Sequence, residues 1–191
     1  MNNEVFKYYI KEINLLSNFV KIAVNEFNKV IQDQSQDSNI IWYDLQNIIV
    51  YASDISKLIW KNPSSVYDGR EQFRKILKVN NAWELKSKKV RNRLEHIDER
   101  LITFTKRDHT IIYDQVISDD YQHAIVIGDK PFNPQNEDTL RSYNPILGEF
   151  IIFGQKINIK NVCAEIKALR ERTQIIIEGD LSYESLVSEN K

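Results

Sequence analysis

NEVFKYYIKEINLLSNFVKIAVNEFNKVI, residues 3–31, runs for 29 residues without a proline or a glycine. Val5, Tyr8, Tyr9, Ile13, Leu16, Phe19, Val20, Ile22, Ala23, Phe27, Val30 and Ile31 return at helical spacing. That period predicts one long amphipathic helix, apolar on the face that meets the rest of the protein. Outward from it, the polar stretch Gln32–Asp37 reads as a connection. A second helix is expected from about Ser38 to Trp60, with Ile41, Leu45, Ile48, Ile49, Ala52, Ile55 and Ile59 as its stripe. Asn62-Pro63 ends it, because proline disfavours helical geometry in the residue before it. A loop and a short helix from about Glu71 to Val79 come next.

A further long helix is expected from about Ala82 to Lys106. Asn81 with Glu84 three residues on resembles a capping box, which satisfies the free N–H groups of a first turn. Trp83, Val90, Leu94, Ile97, Leu101 and Phe104 form its stripe. Long helices with short connections suggest an antiparallel bundle. After about Thr105 the pattern changes. Ile111, Ile112, Val116 and Ala124–Gly128 read as extended or edge segments, and Pro131, Pro134 and Pro145 punctuate loops. Leu140–Tyr143 leads into a turn at Asn144–Gly148, and Glu149–Phe153 returns as a hairpin. Ile157 and Ile159 continue the alternation, Asn161–Arg172 is a last helix, and the tail from Gly179 is expected to be loose. The fold class expected is mainly α: an antiparallel helical bundle over residues 1–107, a β-hairpin and helix extension packed on it over 108–178, and a tail over 179–191, α+β overall.

The 191 residues carry 26 basic and 27 acidic side chains, a net charge of -1, which argues against a generally cationic coat for nucleic acid. Cys163 is the only cysteine, so no intrachain disulfide or multi-cysteine metal site can form. A cytoplasmic location is expected: no signal peptide is read at Met1–Glu4, and no apolar run is long enough to span a membrane. No metal-ligand spacing and no cofactor motif are visible. The aromatic residues Phe6, Tyr8, Tyr9, Trp42, Tyr43, Trp60 and Trp83 fall mostly on helical stripes and read as core.

The chemistry-bearing stretch is Lys86-Ser87-Lys88-Lys89-Val90-Arg91-Asn92-Arg93-Leu94-Glu95-His96. Five of the eight residues from Lys86 to Arg93 are basic and none is acidic. Lys86, Lys88, Lys89 and Arg93 are candidate phosphate-binding cations. A solvated helix face is the plainer reading of a charge run alone. The end of the run adds a more specific pattern. Arg91-Asn92-Arg93-Leu94-Glu95-His96 resembles the signature of HEPN domains: an arginine, a small polar residue, and a histidine a few residues on, within a helix of a small bundle. The resemblance covers at most residues 1 to about 107.

The resemblance implies a metal-independent endoribonuclease, a toxin or phage-defence effector, in which the RNA 2′-hydroxyl is the nucleophile. His96 would move a proton near neutral pH. Arg91 would hold the scissile phosphate, Asn92 would orient either group, and Glu95 would support Arg91. At about 100° per residue, Arg91 and His96 lie about 140° apart around one straight helix, whereas Asn92 and His96 share a face. The resemblance therefore implies a homodimer in which two motifs face one cleft, with RNA as substrate and an antitoxin or other protein as partner. Where HEPN toxins often carry a tyrosine two residues after the histidine, this chain has Asp98, which puts regulation by tyrosine modification in doubt. The alternative is a non-catalytic HEPN-like module binding RNA, nucleotide or protein through the same basic helix. His109 and His123 fit no comparable pattern.

Overall fold

The structure is a computed structural model and describes residues 1–32, 38–60, 70–87, 97–106, 114–117 and 139–189. Six α-helices and a four-stranded sheet make up the described chain, which is mostly helical and α+β in class. Met1–Arg91 together with Val162–Lys191 forms one compact unit, and Asn92–Asn161 forms a second.

In the first unit, α1 (Asn3–Gln32) starts where Asn2 Oδ1 accepts the Val5 N–H at 2.8 Å, an N-cap bond. Its buried residues, Phe6, Ile10, Ile13, Leu16, Ser17, Val20, Ala23, Phe27 and Val30, keep the three-and-four spacing read in the sequence. Ser17 is tolerated in that stripe because its hydroxyl donates to Ile13 O at 2.6 Å. Tyr8 and Ile22, expected inside, are 65% and 59% exposed. The second helix, α2 (Ser38–Trp60), buries all seven residues of its expected stripe. Glu12 shares a cleft with Lys57 and Leu58, Phe19 packs on Tyr51, and Glu26 shares a cleft with Tyr43 and Asp44. Numbers climb on one helix as they fall on the other, so α1 and α2 are antiparallel.

Helix α3 (Arg70–Leu77) buries Phe73, Ile76 and Leu77. The Phe73 ring meets Phe6 edge-on at 6.0 Å and Tyr9 at 5.8 Å, geometry that the aromatic quadrupole favours. Helix α5 (Ile159–Glu178) also runs opposite to α1: Asn14 donates to Thr173 Oγ1 at 3.0 Å, and Lys21 shares a groove with Cys163 and Lys167. Burial of Val162, Ile166, Leu169, Thr173 and Ile176 explains why this helix joins the N-terminal helices, although the sequence suggested an extension beginning at residue 108.

Over its described residues, 179–189, the tail is ordered rather than loose. Tyr183–Glu189 forms α6, with the Ser182 hydroxyl accepting the Ser185 N–H at 3.1 Å. Leu186 is buried, the Tyr183 ring lies 5.4 Å from Phe6, and the Tyr183 N–H donates to Asn3 Oδ1 at 2.7 Å. A few apolar residues in a polar stretch are a faint signal, but Tyr183 and Leu186 anchor a helix when a ready-made surface receives them.

In the second unit, β2 (Arg141–Asn144) and β3 (Glu149–Ile152) form the expected hairpin, and β4 (Gln155–Asn158) extends it antiparallel. The short β1 (Val116–Ile117) pairs parallel to β2, giving the order β1-β2-β3-β4. Phe153 and Gly154, both at positive φ, make the tight two-residue turn between β3 and β4 that matches strand twist. Arg141 holds Asp114 through two hydrogen bonds of 2.7 and 2.6 Å. Helix α4 (Ile97–Thr105) buries Phe104 against Phe153, with ring centroids 6.0 Å apart. Ile97 and Leu101, expected on a buried stripe, are exposed.

Candidate functional site

Of the residues singled out in the sequence, Lys86 is described. Lys88, Lys89, Arg91, Asn92, Arg93, Glu95 and His96 lie outside the described residues, as do His109 and His123. The structure does show how the chain enters the basic run, and it corrects the expected helix start.

Residues 82–87 are not α-helical. Trp83 is extended (φ -62°, ψ 140°), Glu84–Lys86 is a single 3-10 turn, and Ser87 is extended again (φ -56°, ψ 135°). The expected capping box does not form: Asn80 Oδ1 takes the Ala82 N–H, and Asn81 Oδ1 takes the Lys86 ammonium at 3.0 Å. A partner distant in sequence decides the geometry instead. Both carboxylate oxygens of Glu165, on α5, accept backbone N–H groups, from Glu84 and from Leu85, each at 2.9 Å. Leu85 is fully buried beneath this clamp. Burial pushes the Glu165 carboxyl above its usual range, and the two N–H donors offset part of that shift. Clamp and anchor together fix the turn from which the basic run departs. Nothing local announces Glu165; only the contact across 81 residues reveals it.

Several clefts of the helical unit carry polar side chains. The first, of about 380 Å³, is lined by Tyr9 and Glu12 from α1, Asp54 and Lys57 from α2, and Arg70 at the start of α3. Its two cations are held by neighbouring groups. Arg70 donates to Tyr9 Oη at 3.2 Å and to Lys57 O at 3.3 Å, with its guanidinium 5.8 Å from the Tyr9 ring centre. Lys57 pairs with Asp54 at 3.0 Å. This arrangement ties α1, α2 and α3 together.

The second cleft, of about 330 Å³, lies between α1 and α5. Lys21, Lys167 and Arg170 line it over an apolar floor that includes Val20 and Ile166, with no acidic side chain among the described residues of the lining. Three cations on one groove are suited to anionic groups such as phosphates. Cys163 also lines this groove, but burial pushes its thiol up to about 12, so it stays protonated and is a poor nucleophile. Among the described residues no group of three or more His, Cys, Asp or Glu side chains could hold a metal ion, and no helix is long and apolar enough to cross a membrane.

Comparison of the chain with protein-family models, with curated proteins and with solved structures gives no significant match in any of the three.

Proposed function

We propose that this protein is a HEPN-like, metal-independent endoribonuclease acting as a homodimer, with Arg91, Asn92 and His96 in the catalytic roles. The observation that carries the reading is the sequence Arg91-Asn92-Arg93-Leu94-Glu95-His96, set directly after the cations Lys86, Lys88 and Lys89. The basic run would hold the RNA backbone, Arg91 would stabilise charge on the phosphate, and His96 would move the proton. The long helices α1, α2 and α5 give the chain the mainly helical character that such a domain requires. Because Arg91 and His96 point about 140° apart on a straight helix, the reading requires a second copy of the motif or a bend.

The test is RNA cleavage by the full chain in EDTA, comparing wild type with His96→Ala. Cleavage that disappears in a folded His96→Ala protein is the expected result. Cleavage that survives the substitution places the site elsewhere.

A second reading, a non-catalytic RNA-binding module, is favoured by one specific feature: the groove of Lys21, Lys167 and Arg170, which presents three cations in one cleft. Under that reading, charge reversal at Lys21 and Lys167, like charge reversal at Lys88 and Lys89, weakens RNA binding, and His96→Ala leaves it intact.

A further inference from the structure

Between the middle of α1 and the N-terminal half of α2 lies a small cleft of about 180 Å³. Phe19, Ile22 and Glu26 line it from α1, and Tyr43, Asp44 and Tyr51 from α2. The rings of Phe19 and Tyr51 pack at 5.2 Å, tilted by 52°. Tyr43 stands 67% exposed at the rim, and Ile22 of the same cleft is also exposed.

Asp44 is the anomaly. It is 4% exposed, and its Oδ2 has no hydrogen-bond partner. A buried carboxylate without a partner is costly, and natural proteins keep one where something else is gained. The nearby Glu26 adds to the cost rather than relieving it. Its own cation, Lys29, sits 2.7 Å away on the solvent side, with the Glu26 side chain 51% exposed. Burial first, and Glu26 second, hold the Asp44 carboxyl above its usual range. The cleft therefore has two carboxylates, an open mouth, and no cation seated on Asp44 among the described residues.

The lining selects the kind of cation. A hard divalent ion wants six or more oxygen ligands, and two carboxylates among aromatic rings do not supply them. Aromatic faces and a carboxylate are the surroundings that attract an ammonium carrying methyl or methylene groups, through the ring quadrupole and through charge. The volume admits an ammonium head but not a large ligand.

We propose that this cleft binds a small organic ammonium ion, its charge directed to Asp44 and Glu26 and its carbon groups packed on Phe19, Tyr43 and Tyr51. The ion is either a free amine or the modified lysine side chain of a partner protein; the recognition chemistry is the same. The inference does not rest on the ribonuclease reading, and its test uses no RNA.

The experiment is calorimetric titration of the full chain with choline, beside 3,3-dimethylbutan-1-ol, the neutral carbon isostere, at matched ionic strength. Choline is expected to bind saturably and the alcohol at least about tenfold more weakly, the difference a charge makes when desolvated. Asp44→Asn should weaken choline by at least about tenfold, and removal of the exposed ring in Tyr43→Ala by about threefold. Glu26→Gln, on an exposed side chain, gives a second charge test that does not depend on how Asp44→Asn folds. A trimethyllysine peptide that displaces choline identifies a partner side chain as the source, and a peptide that does not displace it identifies a free amine. Absence of saturable choline binding, equal binding of the alcohol, or unchanged affinity in both Asp44→Asn and Glu26→Gln overturns the proposal.

Discussion

Replacing Glu165 with alanine tests whether a carboxylate on α5 holds the turn that leads into the basic run. The structure gives Glu165 two backbone donors, the N–H groups of Glu84 and Leu85, each at 2.9 Å. A hydrogen bond to a charged acceptor contributes about 1.5–3 kcal/mol. The pair would therefore be large were it not for the cost of burying the charge, which the raised carboxyl pKa reports. Water can also reach the part-buried amides once the side chain is gone. The net expectation is a loss of about 2 kcal/mol at neutral pH, or a fall in Tm of about 4–8 °C for a chain of this size.

The pH dependence carries the sharper test. A carboxyl held above its ordinary value of 4.5 binds its proton more tightly in the folded state than in the unfolded one. Its contribution is then fully present below 4.5 and declines as pH rises through the raised folded value. The penalty of Glu165→Ala should accordingly be larger in acid than at neutral pH. Urea unfolding followed by circular dichroism at the two pH values measures both quantities. A loss under about 0.5 kcal/mol would show that the clamp is incidental, since that is the range of ordinary surface substitutions. A penalty that grows towards neutral pH would refute the burial-dominated account, because the two N–H donors would then outweigh desolvation.

Asp44→Asn should act in the opposite direction. Its carboxyl is also held above the ordinary value, 3.8, so the ionised form weighs against folding, and the asparagine protein should be more stable by about 1 kcal/mol at neutral pH and lose that advantage below 3.8; denaturant midpoints at both pH values check it, and an equal or less stable variant at neutral pH contradicts it. Leu186→Ala should cost about 2–3 kcal/mol and release amide protection over Tyr183–Glu189 in hydrogen exchange, because Leu186 is buried under the end of the chain. Unchanged exchange there would mean that the helix does not depend on this anchor.

The helical part of this protein is written in local chemistry. α2 was legible over Ser38–Trp60 because Ile41 through Ile59 keep one period. α1 and the β2–β3 hairpin were legible for the same reason, an apolar period in one and turn residues in the other. Periodicity does not say how wide the buried stripe is, however. Tyr8, Ile22 and Tyr43 extend the apolar pattern and yet face solvent, because α1 and α2 each present more apolar surface than the neighbours present among the described residues cover.

The candidate catalytic residues were likewise read from the chain alone, through Arg91, Asn92 and His96 and the cations before them. What the sequence could not determine is wherever a distant partner overrules a local preference. Asn81 and Glu84 have the spacing of a helix cap, but Glu165 takes the N–H groups of Glu84 and Leu85 and leaves a 3-10 turn in place of a helix start. The polar tail becomes a helix because Phe6 and Asn3, at the other end of the chain, receive Tyr183. Asp44 lies at a position where helical spacing alone cannot separate buried from exposed; only packing of α2 on α1 leaves its Oδ2 without a partner. Hydrogen-bond period and turn chemistry act over a few residues and are legible in one dimension. Burial, desolvation and long-range capping depend on which surfaces meet, and that is settled only when the helices pack.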